Sequence, residues 1–220
     1  MQTSEYQSLA MRTSTDGHDR VLNGCLGLIG ESGEVVDIAK KWKFQSGDNA
    51  AIPRDKLIDE CGDVLWYCAE LCQGLKIDLE RIIREIHREP VCVTASGKFQ
   101  HDAVRLSQRC AEIYEMYYGS GEFRRKNVRK VQHDHRRRMR FIETEIPAPI
   151  AYPAALKDAE LWYRYDTVTL DIGDIVLYVE AILKQYAGST LDEAMEKNIG
   201  KLKKRYPDGF DPERSLHRSE

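Results

Sequence analysis

Two acidic pairs, Glu31-Ser32-Gly33-Glu34 and Glu60-Cys61-Gly62-Asp63, stand inside segments whose apolar residues recur at helical spacing, and this constrains the fold more than any other feature. Residues i and i+3 leave a helix on one face, so each pair sets two carboxylates side by side. Carboxylates on an apolar face are costly unless something neutralises them. Four of them, gathered by packing two helices, repel one another and take up protons unless divalent cations intervene. A lone ExxE or ExxD ordinarily marks a solvated helix face. Two of them on the apolar sides of consecutive helices read instead as a hard-metal site.

The helical reading rests on particular residues. Over Leu22–Trp42 the apolar positions Leu22, Leu26, Ile29, Val36 and Ala39 keep helical spacing, and Lys40, Lys41 and Lys43 gather where cations complement the C-terminal end of the dipole. Over Asp55–Gln73 the positions Leu57, Cys61, Val64, Leu65, Cys68 and Leu71 recur at three- and four-residue steps, with Gly74 placed as a C-terminal stop. Ser46 to Pro53 joins the two.

The wording of these segments adds to the pattern. Gly27-Leu-Ile-Gly-Glu-Ser-Gly-Glu-Val-Val-Asp37, then Lys40-Lys41, then Asp59-Glu-Cys-Gly-Asp-Val-Leu-Trp-Tyr67, resembles the MazG-like branch of the all-α NTP pyrophosphatases, a superfamily that includes the dimeric dUTPases. The opening Tyr6-Gln7, Ala10 and Arg12-Thr13 is similar to the start of short MazG-like chains, and Asn198-Ile-Gly-Lys-Leu-Lys-Lys-Arg-Tyr-Pro-Asp-Gly-Phe210 to their closing helix and tail. The resemblance implies an all-α helical bundle and a Mg²⁺-dependent (or Mn²⁺-dependent) enzyme cleaving a nucleoside triphosphate to the monophosphate and pyrophosphate. Glu31, Glu34, Glu60 and Asp63 are then the metal ligands and catalytic acids. Lys40 or Lys43, Asn198 and Lys201, joined by Arg205 and Tyr206, are the matching candidates for phosphate or nucleotide contact. A solvated helix end explains each lysine equally well. Base selectivity depends on pocket shape, which the motifs do not carry.

The chain also reads as internally duplicated. Asp171-Ile-Gly-Asp-Ile-Val-Leu-Tyr178 aligns without gaps on Glu60-Cys-Gly-Asp-Val-Leu-Trp-Tyr67, and Leu191-Asp-Glu mirrors Leu79-Glu-Arg. Glu112-Ile-Tyr-Glu115 supplies a second ExxE within a helical stretch from Asp102 to Tyr118, and Asp171 is expected to open a further helix. The expected units are 1–90, with the intact acidic quartet, and 91–220, a diverged copy, packed together as one bundle and an intramolecular pseudo-dimer; association of two chains is the alternative. Asp171 departs from the ExxD wording and shortens one ligand's reach, which favours catalysis by the first copy alone. Glu112, Glu115, Asp171 and Asp174 remain a second ligand set.

Composition fits a soluble helical protein. A hydrophobic content of 42% over 220 residues is ample for a core, and no apolar run approaches the roughly 20 residues of a membrane span. Met1 to Arg12 is polar and has no signal-peptide core. Cys61, Cys68 and Cys72 fall on one helix stripe with no CxxC pair, as small core residues of a reduced, cytoplasmic protein would. Residues 124–140 hold nine Lys or Arg against one acid in a chain of net charge −3. That strip could attract nucleic acid or a triphosphate, but no aromatic is interleaved in it, so nucleic acid is not the expected partner. His133-Asp134-His135 lacks a third ligand at recognisable spacing. Ile146–Pro153 reads as an extended connector, Trp162, Tyr163 and Tyr165 as packing or pocket-edge aromatics, and Glu89–Gln100 as the boundary between copies. Rival readings are a degenerate nucleotide-binding sensor and a helical nucleic-acid binder. A di-iron bundle would want Glu-x-x-His pairs, which these motifs lack.

Overall fold

A computed structural model describes residues 3–14, 19–46, 50–88, 95–119, 159–207 and 209–210, with the side chains of 3, 4 and 159–167 outside the description. The basic strip 124–140, the His133-Asp134-His135 group, the 146–153 connector and the first half of the expected boundary at 89–100 therefore lie outside the described residues, as do the Trp162, Tyr163 and Tyr165 side chains. The regular elements among the described residues are all helical: α1 Thr3–Met11, α2 Arg20–Gln45, α3 Arg54–Leu75, α4 Leu79–Arg88, α5 Phe99–Tyr118, α6 Ala159–Ile182 and α7 Leu191–Arg205. A single π turn, Leu183–Ala187, extends α6 and closes on Gly188 in the left-handed region at φ 55°. No described helix is long and apolar enough to cross a membrane.

Helix α2 starts where Asp19 caps it, the carboxylate accepting from the Leu22 N–H at 3.0 Å. It runs antiparallel to α3, since Gly24 meets Leu71, Gly27 meets Tyr67 and Glu31 lies with Glu60. The two glycines allow this approach. A Cβ on Gly24 would stand 2.9 Å from the Leu71 Cβ, and one on Gly27 would stand 2.1 Å from the Tyr67 ring. In α3 the expected apolar positions Leu57, Cys61, Val64, Leu65, Cys68 and Leu71 are all buried.

Three local expectations are corrected. In α2 the buried stripe is Cys25, Leu28, Ser32, Val35, Ile38 and Ala39, whereas Leu26 is 53% exposed. The inward face is rotated because α5 packs on α2 as well as α3 does, and apolar spacing alone does not say which of two adjoining stripes faces the neighbours. Gly74 does not stop α3: the C-cap is Lys76 in the left-handed region at φ 58°, followed by the bond from Ile77 N–H to Cys72 O at 2.8 Å. Gly74 instead makes room for the start of α2, where a Cβ would lie 2.9 Å from that of Arg20. Asp171 does not open a helix but sits inside α6.

The closing helices cross between the two halves of the chain. Helix α4 packs on α6, and α7 packs on α3 and α1. Each crossing is made at a glycine. A Cβ on Gly62 of α3 would lie 3.1 Å from Ala194 O and from the Asn198 Cβ, and one on Gly173 of α6 would lie 3.0 Å from the Ile86 Cγ2 and 3.5 Å from that of Ile82. The alignment that pairs Glu60–Tyr67 with Asp171–Tyr178 pairs these two glycines. Leu79 set on Leu191 pairs Ile82 with Ala194 and Ile86 with Asn198.

One buried polar knot ties the N-terminal region to this frame. Glu70, fully buried in α3, accepts from Ser14 Oγ at 2.7 Å, Arg20 Nη1 at 3.1 Å and Asn23 Nδ2 at 3.3 Å. Helix α1 is held alongside by Trp66, whose Nε1–H points at Ala10 O (3.1 Å) and Thr13 Oγ1 (3.2 Å). The five described cysteines are buried and free, as expected of core residues.

Candidate metal centre

Where α2 and α3 run side by side, one carboxylate oxygen from each of Glu31, Glu60 and Asp63 lies within 4.8 Å of the other two. All three side chains are half-buried, and the spacing suits oxygen ligands around one hard cation. Glu34 is not one of the three and is exposed, one turn beyond Glu31 toward the solvent edge. Gly30 and Gly33, which flank Glu31, have nothing within 4 Å of a Cβ, so this side of α2 is open.

Crowding shows in the proton affinities. Burial, then the charges of Asp63 and Glu60, push the Glu31 carboxyl from its ordinary 4.5 up to about 7, with Lys201 opposing the rise. Glu60 is raised for the same reasons, burial first and then Asp63. A cation in the cluster removes the mutual repulsion of these groups, so the donor set fits a divalent metal. The linkage has a definite sign. Folding places Glu31 where it holds its proton between about pH 4.5 and 7, so the apo protein loses stability as pH rises through that window. Thermal melts in EDTA at about pH 5.5 and about pH 7.5 are expected to show a steeper downward slope for the parent chain than for Glu31→Gln. Equal slopes would refute the crowding.

Helix α7 closes the opposite edge. Lys201 Nζ lies 2.6 and 2.5 Å from the two Asp63 oxygens, and Asn198 Nδ2 donates to Asp63 Oδ1 at 2.7 Å. The other face of the Asn198 amide meets the Tyr6 hydroxyl, which lies 3.1 Å from Oδ1 and 3.4 Å from Gly62 O. Burial, then the Asp63 charge, hold the Tyr6 proton well above the usual phenol range. Below the site Lys197 reaches Asp55 O at 2.6 Å and Asp59 at 3.6 Å. Asp55, Asp59 and Asp63 thus face Lys197 and Lys201 as two charge ladders of matching four-residue step. That match is legible in the sequence once α3 and α7 are known to be neighbours, and sequence reasoning missed it. It also missed Glu70, a carboxylate in the middle of an apolar helix face.

The remaining sequence-derived candidates scatter. Lys40 is exposed and paired with Asp37, which it and Lys41 hold down at about 2. Lys43 is exposed in the last turn of α2, about 13 Å further along the axis than Glu34. Arg205 is exposed at the end of α7, and Tyr206 is buried with its ring 5.5 Å from that of Phe210. In the second half, Arg109 lies 2.7 Å from Glu112 and 3.8 Å from Asp174, and its guanidinium also feels Asp171. Among the described residues, Glu112, Glu115, Asp171 and Asp174 form no group comparable to the first three.

The family model described as the MazG nucleotide pyrophosphohydrolase domain matches residues 22–89, from α2 through α4, and so includes both acidic pairs but not α7. Gene 37 protein of Mycobacterium phage L5 is 38% identical over 58 residues, which are 26% of this chain and 51% of that protein. The chain thus spans about half the length of this curated relative. No solved structure matches.

Proposed function

We propose that this chain, whose residues 22–89 match the model of the MazG nucleotide pyrophosphohydrolase domain, hydrolyses nucleoside triphosphates to the monophosphate and pyrophosphate with the aid of Mg²⁺. The observation that carries the reading is the convergence of Glu31, Glu60 and Asp63 beside the Asn198 and Lys201 donors. These three carboxylates would hold the ion, with Glu34 at the open rim. Bound there, Mg²⁺ supplies charge neutralisation at phosphate oxygens and lowers the pKa of a water; Mn²⁺ offers the same chemistry. Water adds to the α-phosphorus and the bond to the oxygen bridging the β-phosphorus breaks. Glu34, exposed and outside the group of three, is the carboxylate left to accept the water's proton. Lys201, which pairs with Asp63, is the candidate contact for an incoming phosphate.

We read the second half as a diverged copy, packed on the first as an intramolecular pseudo-dimer and serving as scaffold. Two observations support this. The position that pairs with Asn198 is Ile86, which donates nothing, and Arg109 supplies the positive charge among Glu112, Asp171 and Asp174.

The test is incubation of the purified chain and Mg²⁺ with a panel of canonical and modified NTPs and dNTPs, dUTP included. Monophosphate and pyrophosphate in equal amounts are expected. Orthophosphate release, or binding without turnover, would overturn the reading.

A further inference from the structure

We propose that Tyr6 of the N-terminal helix is a positioning residue of the metal centre, acting through Asn198; the proposal rests on reading Asp63 as a ligand. Asn198 is 1% exposed, so its amide has no water to turn to. An Asn side chain offers one acceptor and one double donor, and it satisfies both ends only in one orientation here. A carboxylate facing an ammonium accepts and does not donate, so the Asn198 NH₂ must face Asp63, to which it lies at 2.7 Å. The carbonyl then points into the core, where the described partner is the Tyr6 hydroxyl at 3.1 Å. That hydroxyl has one proton to give, and Gly62 O at 3.4 Å is the more distant taker. Without the hydroxyl, the Asn198 carbonyl becomes a buried acceptor with no donor among the described residues, and the side chain keeps its NH₂ on Asp63 only by leaving that acceptor unpaired.

The consequence is that α1 does more than cover the bundle. It anchors the carbonyl end of an amide that aims one of the three carboxylates, through a chain of contacts spanning three helices: Tyr6 on α1, Asn198 on α7, Asp63 on α3. Partners that bond a metal ligand directly, as Asn198 bonds Asp63, typically change affinity about 10- to 100-fold when lost, and Tyr6, one contact further out, is placed at the low end of that range.

The test reads metal binding without nucleotide, by electron paramagnetic resonance of free Mn²⁺ titrated into the full chain. Tyr6→Phe, which keeps the ring and removes only the oxygen, is expected to weaken Mn²⁺ binding about tenfold. In an Asn198→Ala background the same change is expected to have no further effect. Trp66→Phe, which loosens α1 by removing the contacts to Ala10 and Thr13, is expected to lower thermal stability and leave Mn²⁺ affinity alone. Parent-like binding by Tyr6→Phe, additive losses in the double variant, or an equal loss in Trp66→Phe would each overturn the proposal. Absence of Mn²⁺ binding by the parent chain would overturn the metal reading and this proposal together.

Discussion

Glu60→Gln should cut pyrophosphate release by roughly a thousandfold or more, about 4 kcal/mol of transition-state stabilisation, while leaving the melting temperature of the apo protein unchanged or higher. The two effects separate for one reason. Glu60 is half-buried, and burial and then the Asp63 charge raise its proton affinity, so in the absence of a cation its charge is a burden on the fold. A neutral amide of the same shape relieves that burden and removes a ligand charge in the same step. Asp171→Asn, at the aligned place in α6, is expected to retain parent turnover, because Arg109 already supplies a cation there. Product analysis of both variants beside the parent checks the pair of statements. Turnover lost through Asp171 and kept through Glu60 would invert the assignment of the working half.

Arg20→Met should be the most damaging substitution far from the site, destabilising the protein by about 3–5 kcal/mol and lowering Tm by roughly 10 °C. Glu70 is fully buried, and its carboxylate is held by the Arg20 guanidinium together with Ser14 and Asn23. Taking away the guanidinium leaves a charge in the core without that counter-ion, whereas taking away the carboxylate leaves Arg20, 18% exposed, able to reach solvent. Glu70→Gln is therefore expected to cost less than Arg20→Met, and the double change Arg20→Met with Glu70→Leu to recover much of the loss. Thermal or urea unfolding of the three variants gives the ordering. A double variant no more stable than Arg20→Met would show that the pair is not the source of the effect.

Legibility differed by element. Helix α3 could be read from its apolar positions because it is central, packed by α1, α2, α4, α6 and α7, so that most of its circumference faces a neighbour. Helix α2 is packed mainly by α3 and α5, and of the stripe read from spacing only Ala39 is among its buried residues. Gly74 resembled a C-cap by composition, yet Lys76 adopted the left-handed turn, and Gly74, two residues earlier, makes room for the approach of α2. Among the candidate site residues, Glu31, Glu60 and Asp63 lie together, and Asn198 and Lys201 join them through Asp63. Lys40, Lys43 and Arg205 matched a motif by order along the chain but lie exposed at helix ends, where such residues also serve the dipole.

What the sequence by itself determined is local: helices in which acids three apart share a face, and a burden of carboxylates that asks for a cation. These follow from periodicity, which acts within a few turns of one helix. Which helix completes the site was settled only in the tertiary structure. Asp63 meets Asn198 across 135 positions of chain, because α7 leaves its own half and lies against α3 at Gly62, while α4 makes the reciprocal crossing at Gly173. No spacing rule carries that information. It depends on two backbones approaching where a side chain is missing, and on matched charges that recognise each other only once they are adjacent.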